Sequence, residues 1–230
     1  MARRTRQTLD SPEAARLNSM WTFEAEAHAN GFLRVAGVDE AGRGPLAGPL
    51  VAAAVILAEP VPGVDDSKRL TPQRRETLYE TLRAGPHAIG VAIVAPETID
   101  RIGIQQANYM AMAQAAQALE TSPDFLLVDG FAIPGTIWPH KRIVKGDQRS
   151  LSIAAASIVA KVTRDRIMME LDMRYPVYGF ARHKGYGTRE HLEALGAFGP
   201  CPAHRRSFAP LNNAAATAAL AGMGDEVQRR

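Results

Sequence analysis

Four carboxylates stand at the ends of apolar segments next to glycine: Asp39 and Glu40 run into Ala41-Gly42, Asp129 precedes Gly130, and Asp147 follows Gly146. A strand that ends at glycine is where the edge of a sheet opens to a ligand. Carboxylates gathered there repel one another unless a cation lies among them. With no cysteine or histidine pattern beside them, such all-oxygen donors favour Mg2+ or Mn2+ over zinc. Each acid taken alone reads as a turn cap, and the metal reading holds only if the fold gathers them in one place. Asp39 and Glu40 face opposite sides of a regular strand, so they share a site only if the strand ends or bulges between them.

Two further segments bear on chemistry. The glycines of Gly42-Arg43-Gly44 let backbone groups approach a ligand, with Arg43 available for a phosphate; the plainer reading is a tight turn. No Lys-Ser/Thr pair completes a P-loop, and an apolar, strand-like run follows where a nucleotide-binding loop needs a helix. In His183-Lys184-Gly185-Tyr186-Gly187-Thr188, a tyrosine between two glycines has the setting of a ring that stacks on a sugar or base. The alternatives are a packed tyrosine and a surface histidine. Lys161 and Asp165, four apart, pair on one helix face.

The elements that must position these groups follow from pattern. Residues 35–39 and 50–57 read as strands joined by a turn holding Gly42, Gly44, Pro45, Gly48 and Pro49. Thr71-Pro72 opens a helix to about residue 82. Residues 87–94 resemble a third strand, 105–119 a helix rich in alanine and methionine, 125–129 a short buried strand and 143–145 another. Ser150 starts a long apolar helix that ends near Pro176, and residues 189–195 are helical. This order predicts an α/β fold, a mixed sheet flanked by helices with a helical C-terminal part. Residues 1–33 read as a partly disordered N-terminal extension, 34–211 as the principal domain and 212–230 as an alanine-rich tail, with helix an alternative at either end.

Composition sets outer bounds. The chain has 230 residues, 46% of them hydrophobic, enough for one principal core. A single cysteine, Cys201, excludes an internal disulfide and suits the reducing cytoplasm. The apolar runs 50–58 and 153–160 are far shorter than the roughly 20 residues that span a bilayer as helix. The chain carries 27 Lys+Arg against 24 Asp+Glu, with a pI near 9.2. Clusters at Lys141, Arg142, Lys145 and Arg149 and at Arg205-Arg206 fit a polyanionic partner or a solvated charged face. No heptad or apolar stripe points beyond a monomer.

The run Val38-Asp39-Glu40-Ala41-Gly42-Arg43-Gly44-Pro45-Leu46-Ala47-Gly48-Pro49 with Asp66-Ser67-Lys68-Arg69-Leu70 resembles the signature of bacterial ribonuclease HII. So do Val128-Asp129-Gly130, Lys145-Gly146-Asp147, Tyr178-Gly179-Phe180, residues 152–165 and 183–188, and His204-Arg205-Arg206-Ser207-Phe208. The order agrees along about residues 34–210; the two ends depart from the compact family pattern. The resemblance implies a ribonuclease H-like fold and two Mg2+ or Mn2+ ions held by Asp39, Glu40, Asp129 and Asp147. It implies that Gly42, Arg43 and Gly44 read a ribose 2′-hydroxyl and its phosphate, and that Tyr186 packs on the nucleotide at an RNA-to-DNA junction. The expected substrates are RNA–DNA hybrids and duplex DNA containing a ribonucleotide.

Overall fold

The computed structural model describes residues 11–213. The strands β1 (Val35–Ala41), β2 (Leu50–Ile56), β3 (Ala88–Val94), β4 (Phe125–Asp129) and β5 (His140–Ile143) form one sheet in the order β3-β2-β1-β4-β5. β1 runs antiparallel to β2 and parallel to β4, so the sheet is mixed as predicted. The fifth strand lies at His140–Ile143, earlier than the pattern indicated, because the chain at Lys145 turns into the left-handed region at φ 55°.

Strand alternation sorts the two cores. Val51, Ala53 and Val55 of β2 face α6 (Leu151–Arg174), while Leu50, Ala52 and Ala54 face α5 (Ile104–Gln117). The helix α3 (Pro72–Ala84) covers the outer side of α6 with Leu78 and Leu82, which is why α6 is buried nearly all round at its start. Its small residues, Ala154, Ala155 and Ala156, let the backbones come close. The closest approach is at Gly37, where a Cβ would sit 2.0 Å from the carbonyl carbon of Ser152. Gly37→Ala would therefore push α6 off the sheet. Each fully buried side chain in this interface, such as Ile158, contributes roughly 1.5–3 kcal/mol of transfer free energy.

A short helix missed by the pattern, α4 (Pro96–Ile102), precedes α5; its seven residues carry too few turns to show periodicity. The C-terminal part comprises α7 (Phe180–His183) and α8 (Arg189–Phe198), gathered around Tyr178, Phe180, Leu195 and Ala203.

The N-terminal segment is mostly helical over the residues described. Residues 11–33, read as part of a partly disordered extension, form α1 (Pro12–Met20) and α2 (Thr22–Ala29), and Met20, Glu24 and Ala27 are buried against the body of the fold. The Glu24 carboxylate accepts the Ser150 hydroxyl at 2.6 Å and the Ser152 N–H at 2.9 Å, at the start of α6. Residues 1–10 and 214–230, including nearly all of the alanine-rich tail, lie outside the described residues.

Candidate active site

The last β1–β4 pair is Val38 with Val128, so Asp39, Glu40 and Asp129 stand just where these two parallel strands part. A gap at the carboxyl ends of parallel strands is a natural place for a ligand. The condition set for Asp39 and Glu40 is met differently from the expectation of a strand end or bulge. Both residues keep regular antiparallel register with β2, opposite Ala53 and Ala52. Asp39 emerges on the α6 face, beside Ser157, and Glu40 on the α5 face, beside Asn108. They meet because β4 has stopped and the cleft is open to both faces.

This cleft, a cavity of about 320 Å³, is lined by Asp39, Glu40, Asp129, the loop at Gly42, Arg43 and Gly44, and Lys68, Lys161 and Tyr186. Asp147 lies one layer back, buried. Its Oδ2 accepts from the Lys68 ammonium at 2.7 Å. Gly146, next to it, donates its N–H to Asp129 Oδ1 at 2.6 Å, so the turn that carries Asp147 is tied to the end of β4. Lys68 is delivered by a loop pinned through Ser67, whose hydroxyl lies 2.8 Å from that of Ser157, and through Asp66, which accepts from Gln148 at 3.1 Å.

The acids are held in unfavourable surroundings. Burial, then the nearby Glu40 and Asp129 charges, push the Asp39 carboxyl well above its usual range. Burial raises Glu40 to about 7, against the opposing pull of Arg43. Burial also raises Asp129. Glu40 Oε2 is buried without a hydrogen-bond partner. An orphaned buried oxygen among acids that resist ionising together is the donor chemistry that a hard divalent cation satisfies. Among the described residues, however, no group of three or more Asp, Glu, His or Cys is already arranged around one metal. The Lys68 ammonium occupies part of that role by holding Asp147. For Lys68 itself, burial works against the charge, but the hydrogen bond and charge of Asp147 prevail and raise it.

The opposite wall is a tightly held loop. Arg43 stacks 4.4 Å over the Phe131 ring, donates to Gln105 Oε1 at 2.9 Å and lies 3.7 Å from Glu40. Two buried arginines, which residue pattern did not mark as site residues, clamp the loop from behind. Arg164 donates to the carbonyls of Pro49, Ala47 and Lys184 at 3.0–3.1 Å. Arg205 donates to those of Gly42, Arg43 and Gly48 at 2.6–3.0 Å. Gly42 has φ +95° and its Cβ would meet Arg164 Nε at 2.0 Å, so only glycine fits between loop and clamp. Arg205 is thus no part of an exposed basic patch. Lys141 and Arg149 remain exposed, each with its charged group 5.1 Å from the Phe23 ring. Tyr186 is half exposed, its ring against Gly44, and His183 is partly buried, donating to the Tyr178 carbonyl at 2.7 Å. Lys161 and Asp165 pair at 2.5 Å as expected.

A five-stranded mixed sheet between helices, with carboxylates where β1 and β4 part, defines a ribonuclease H-like fold. A family model described as Ribonuclease HII matches residues 36–211. Ribonuclease HII from Geobacillus kaustophilus (strain HTA426) is 56% identical over 198 residues, 85% of this chain and 76% of that protein. The ribonuclease H2 structure from Pyrococcus horikoshii OT3 superposes with a TM-score of 0.67 at 28% identity, covering 86% of this chain and 100% of that one. Bst-RNase HIII in complex with Mn2+ shares the fold at a TM-score of 0.64 and 19% identity, over 98% of this chain and 77% of that one. The chain belongs to the ribonuclease HII family: it is an enzyme, a nuclease of RNA paired or joined to DNA. No helix among the described residues is long and apolar enough to cross a membrane.

Proposed function

We propose that the cleft hydrolyses the RNA strand of RNA–DNA hybrids and incises on the 5′ side of a ribonucleotide embedded in duplex DNA, leaving a 5′-phosphate and a 3′-hydroxyl. The observation that carries this reading is the meeting of Asp39, Glu40 and Asp129 with the Gly42-Arg43-Gly44 loop and Tyr186 around one cavity. Two Mg2+ or Mn2+ ions, when bound, supply an activated water and offset the charge on the leaving oxygen. Asp39, Glu40, Asp129 and Asp147 would hold those ions, and Lys68 holds Asp147 Oδ2 at 2.7 Å.

The remaining roles fall to groups of the chain. The rigid loop at Gly42, Arg43 and Gly44 presents its backbone to the ribose 2′-hydroxyl, which tests the sugar without testing the base. Arg43 and Lys161 face the phosphates. Tyr186 packs on the sugar at the junction. Residues 34–211 act as the catalytic domain, supported by the two N-terminal helices. The protein works as a cytoplasmic monomer, a setting that suits its buried free Cys201.

A labelled DNA duplex with one ribonucleotide, incubated with Mg2+ and then with EDTA beside an all-DNA control, tests the reading. Metal-dependent incision only 5′ to the ribonucleotide is expected. Cutting of the all-DNA control, or none with metal present, overturns it.

A further inference from the structure

His191 and His204 lie outside the cleft, buried with Tyr178, Phe180 and Cys201 in the C-terminal cluster. Their hydrogen bonds determine both tautomers. His191 Nδ1 stands 2.9 Å from the Tyr186 carbonyl oxygen, which only accepts, so Nδ1 carries the proton. In the neutral ring His191 Nε2 is then bare. It lies 3.0 Å from His204 Nε2, which must donate. His204 Nδ1 is left to accept, and the Cys201 backbone N–H donates to it at 3.0 Å. The Cys201 carbonyl, 3.3 Å from the same nitrogen, already takes the backbone N–H of His204 at 3.0 Å and so does not require a proton there.

Burial keeps both rings neutral, pushing each down to about 4. A second proton would set N–H against N–H between them. His183 stacks on His191 with ring centres 4.5 Å apart and is fixed as well: Nε2 donates to Tyr178 O, and Nδ1 accepts from Gly185 N at 3.2 Å.

This chain of donors ends on the backbone of Tyr186, whose carbonyl also accepts from Thr188 N at 2.8 Å. The preceding residue, Gly185, accepts from Leu46 N at 2.8 Å, and its Cβ would fall 2.3 Å from the Ala47 carbonyl oxygen. The Tyr186 segment and the 42–49 loop therefore meet backbone to backbone, with the Tyr186 ring facing Gly44. Neither His191 nor His204 lines the cleft.

We propose that His204 and His191, through one directed hydrogen-bond chain, are positioning residues that set the Tyr186 ring against Gly44 and so tune discrimination at the RNA–DNA junction. The inference rests on the reading of Tyr186 given above. His191→Asn keeps an amide donor where Nδ1 stands, whereas His191→Leu removes it.

The test compares rates on a single-ribonucleotide duplex and on a long hybrid, and reads the tautomers of the full-length protein by 15N-resolved imidazole NMR. Nδ1–H on His191 and Nε2–H on His204 are expected; the reverse in either overturns the chain. His191→Leu should lower the single-ribonucleotide to hybrid ratio about fivefold, the worth of one hydrogen bond of ~1 kcal/mol. His191→Asn should hold the ratio near that of the unaltered protein. In a Tyr186→Ala background His191→Leu should have no further effect on the ratio. Equal loss on both substrates, or an effect that persists without the tyrosine ring, overturns the proposal. Should Tyr186→Ala alone leave the ratio unchanged, the junction role of Tyr186 fails, and with it the purpose of the chain, even where the tautomers are as assigned. Where His191→Leu does not fold, the NMR assignment and the His191→Asn ratio still decide.

Discussion

The two walls of the cleft are built on opposite terms. On the sheet side, Asp39 is buried and Glu40 and Asp129 are partly buried beside it, each carboxyl raised, and Glu40 Oε2 has no hydrogen-bond partner. On the loop side, the carbonyls of Gly42, Arg43, Ala47, Gly48 and Pro49 each receive a guanidinium N–H from Arg164 or Arg205. The first wall holds unfavourable charge that a bound cation would relieve. The second is satisfied in advance and holds its shape. Recognition of a sugar needs fixed geometry, whereas a metal site needs ligands whose free charge is poorly compensated.

The comparison breaks first at Asp39. Asp39→Asn should lower turnover on the single-ribonucleotide duplex by ~10³-fold or more, about 4 kcal/mol of barrier. Urea unfolding in EDTA should show stability unchanged or raised, since a repelling charge is gone. A large loss of stability would make that wall structural.

The loop wall should respond in the reverse sense. Arg205→Met leaves the carbonyls of Gly42, Arg43 and Gly48 without their buried donor and should cost about 2–4 kcal/mol of stability. Denaturant midpoints measure this directly. Arg205→Lys should recover little of it, because a single ammonium cannot span the separate acceptors. A near-neutral Arg205→Met would show that the clamp is dispensable.

A pH series sharpens the contrast. The Glu40 carboxyl is raised from 4.5 to about 7, so the folded state holds its proton longer than the unfolded state does. As pH rises from 4.5 to 7, the unfolded chain ionises first and the fold is penalised. In EDTA, Glu40→Gln should therefore match the unaltered protein near pH 4.5 and exceed it above pH 7, by roughly 1–3 kcal/mol. Adding Mg2+ at pH 8 should offset most or all of that deficit by binding the folded state, about 2.7 kcal/mol at a hundredfold excess over Kd. Equal stabilisation of the variant by Mg2+ would place the ion away from Glu40.

The smallest effect belongs to the exposed ring. Tyr186→Ala should reduce incision at a single ribonucleotide about tenfold, near 1.4 kcal/mol, with less effect on a long hybrid and none on stability. Rate constants on the two substrates decide it.

Much of this was legible in residue order. Short apolar runs bounded by glycine and proline gave the strands through 35–39, 50–57 and 125–129, and Thr71-Pro72 and Ser150 marked two helix starts at Pro72–Ala84 and Leu151–Arg174. These signals are local, carried by apolar runs and capping within a few residues. The candidate acids stood out by their glycine neighbours. The short α4 and the N-terminal pair α1 and α2 did not stand out, since their stabilisation comes from surfaces distant in sequence, such as Glu24 capping Ser150 and Ser152.

What residue order settled by itself is the set of elements and the chemistry the chain carries: oxygen donors without a cysteine or histidine set, and a Gly-Arg-Gly loop. Only the tertiary structure decided which of those groups meet. Asp39 and Glu40 leave opposite faces of one strand and come together because β4 stops pairing after Val128. Arg205, one of a basic pair in sequence, becomes a buried clamp, and His191 and His204 acquire single tautomers from partners brought in by the fold. The physical reason is that burial and partner placement set the charge and direction of a polar group, and both depend on contacts between residues far apart along the chain.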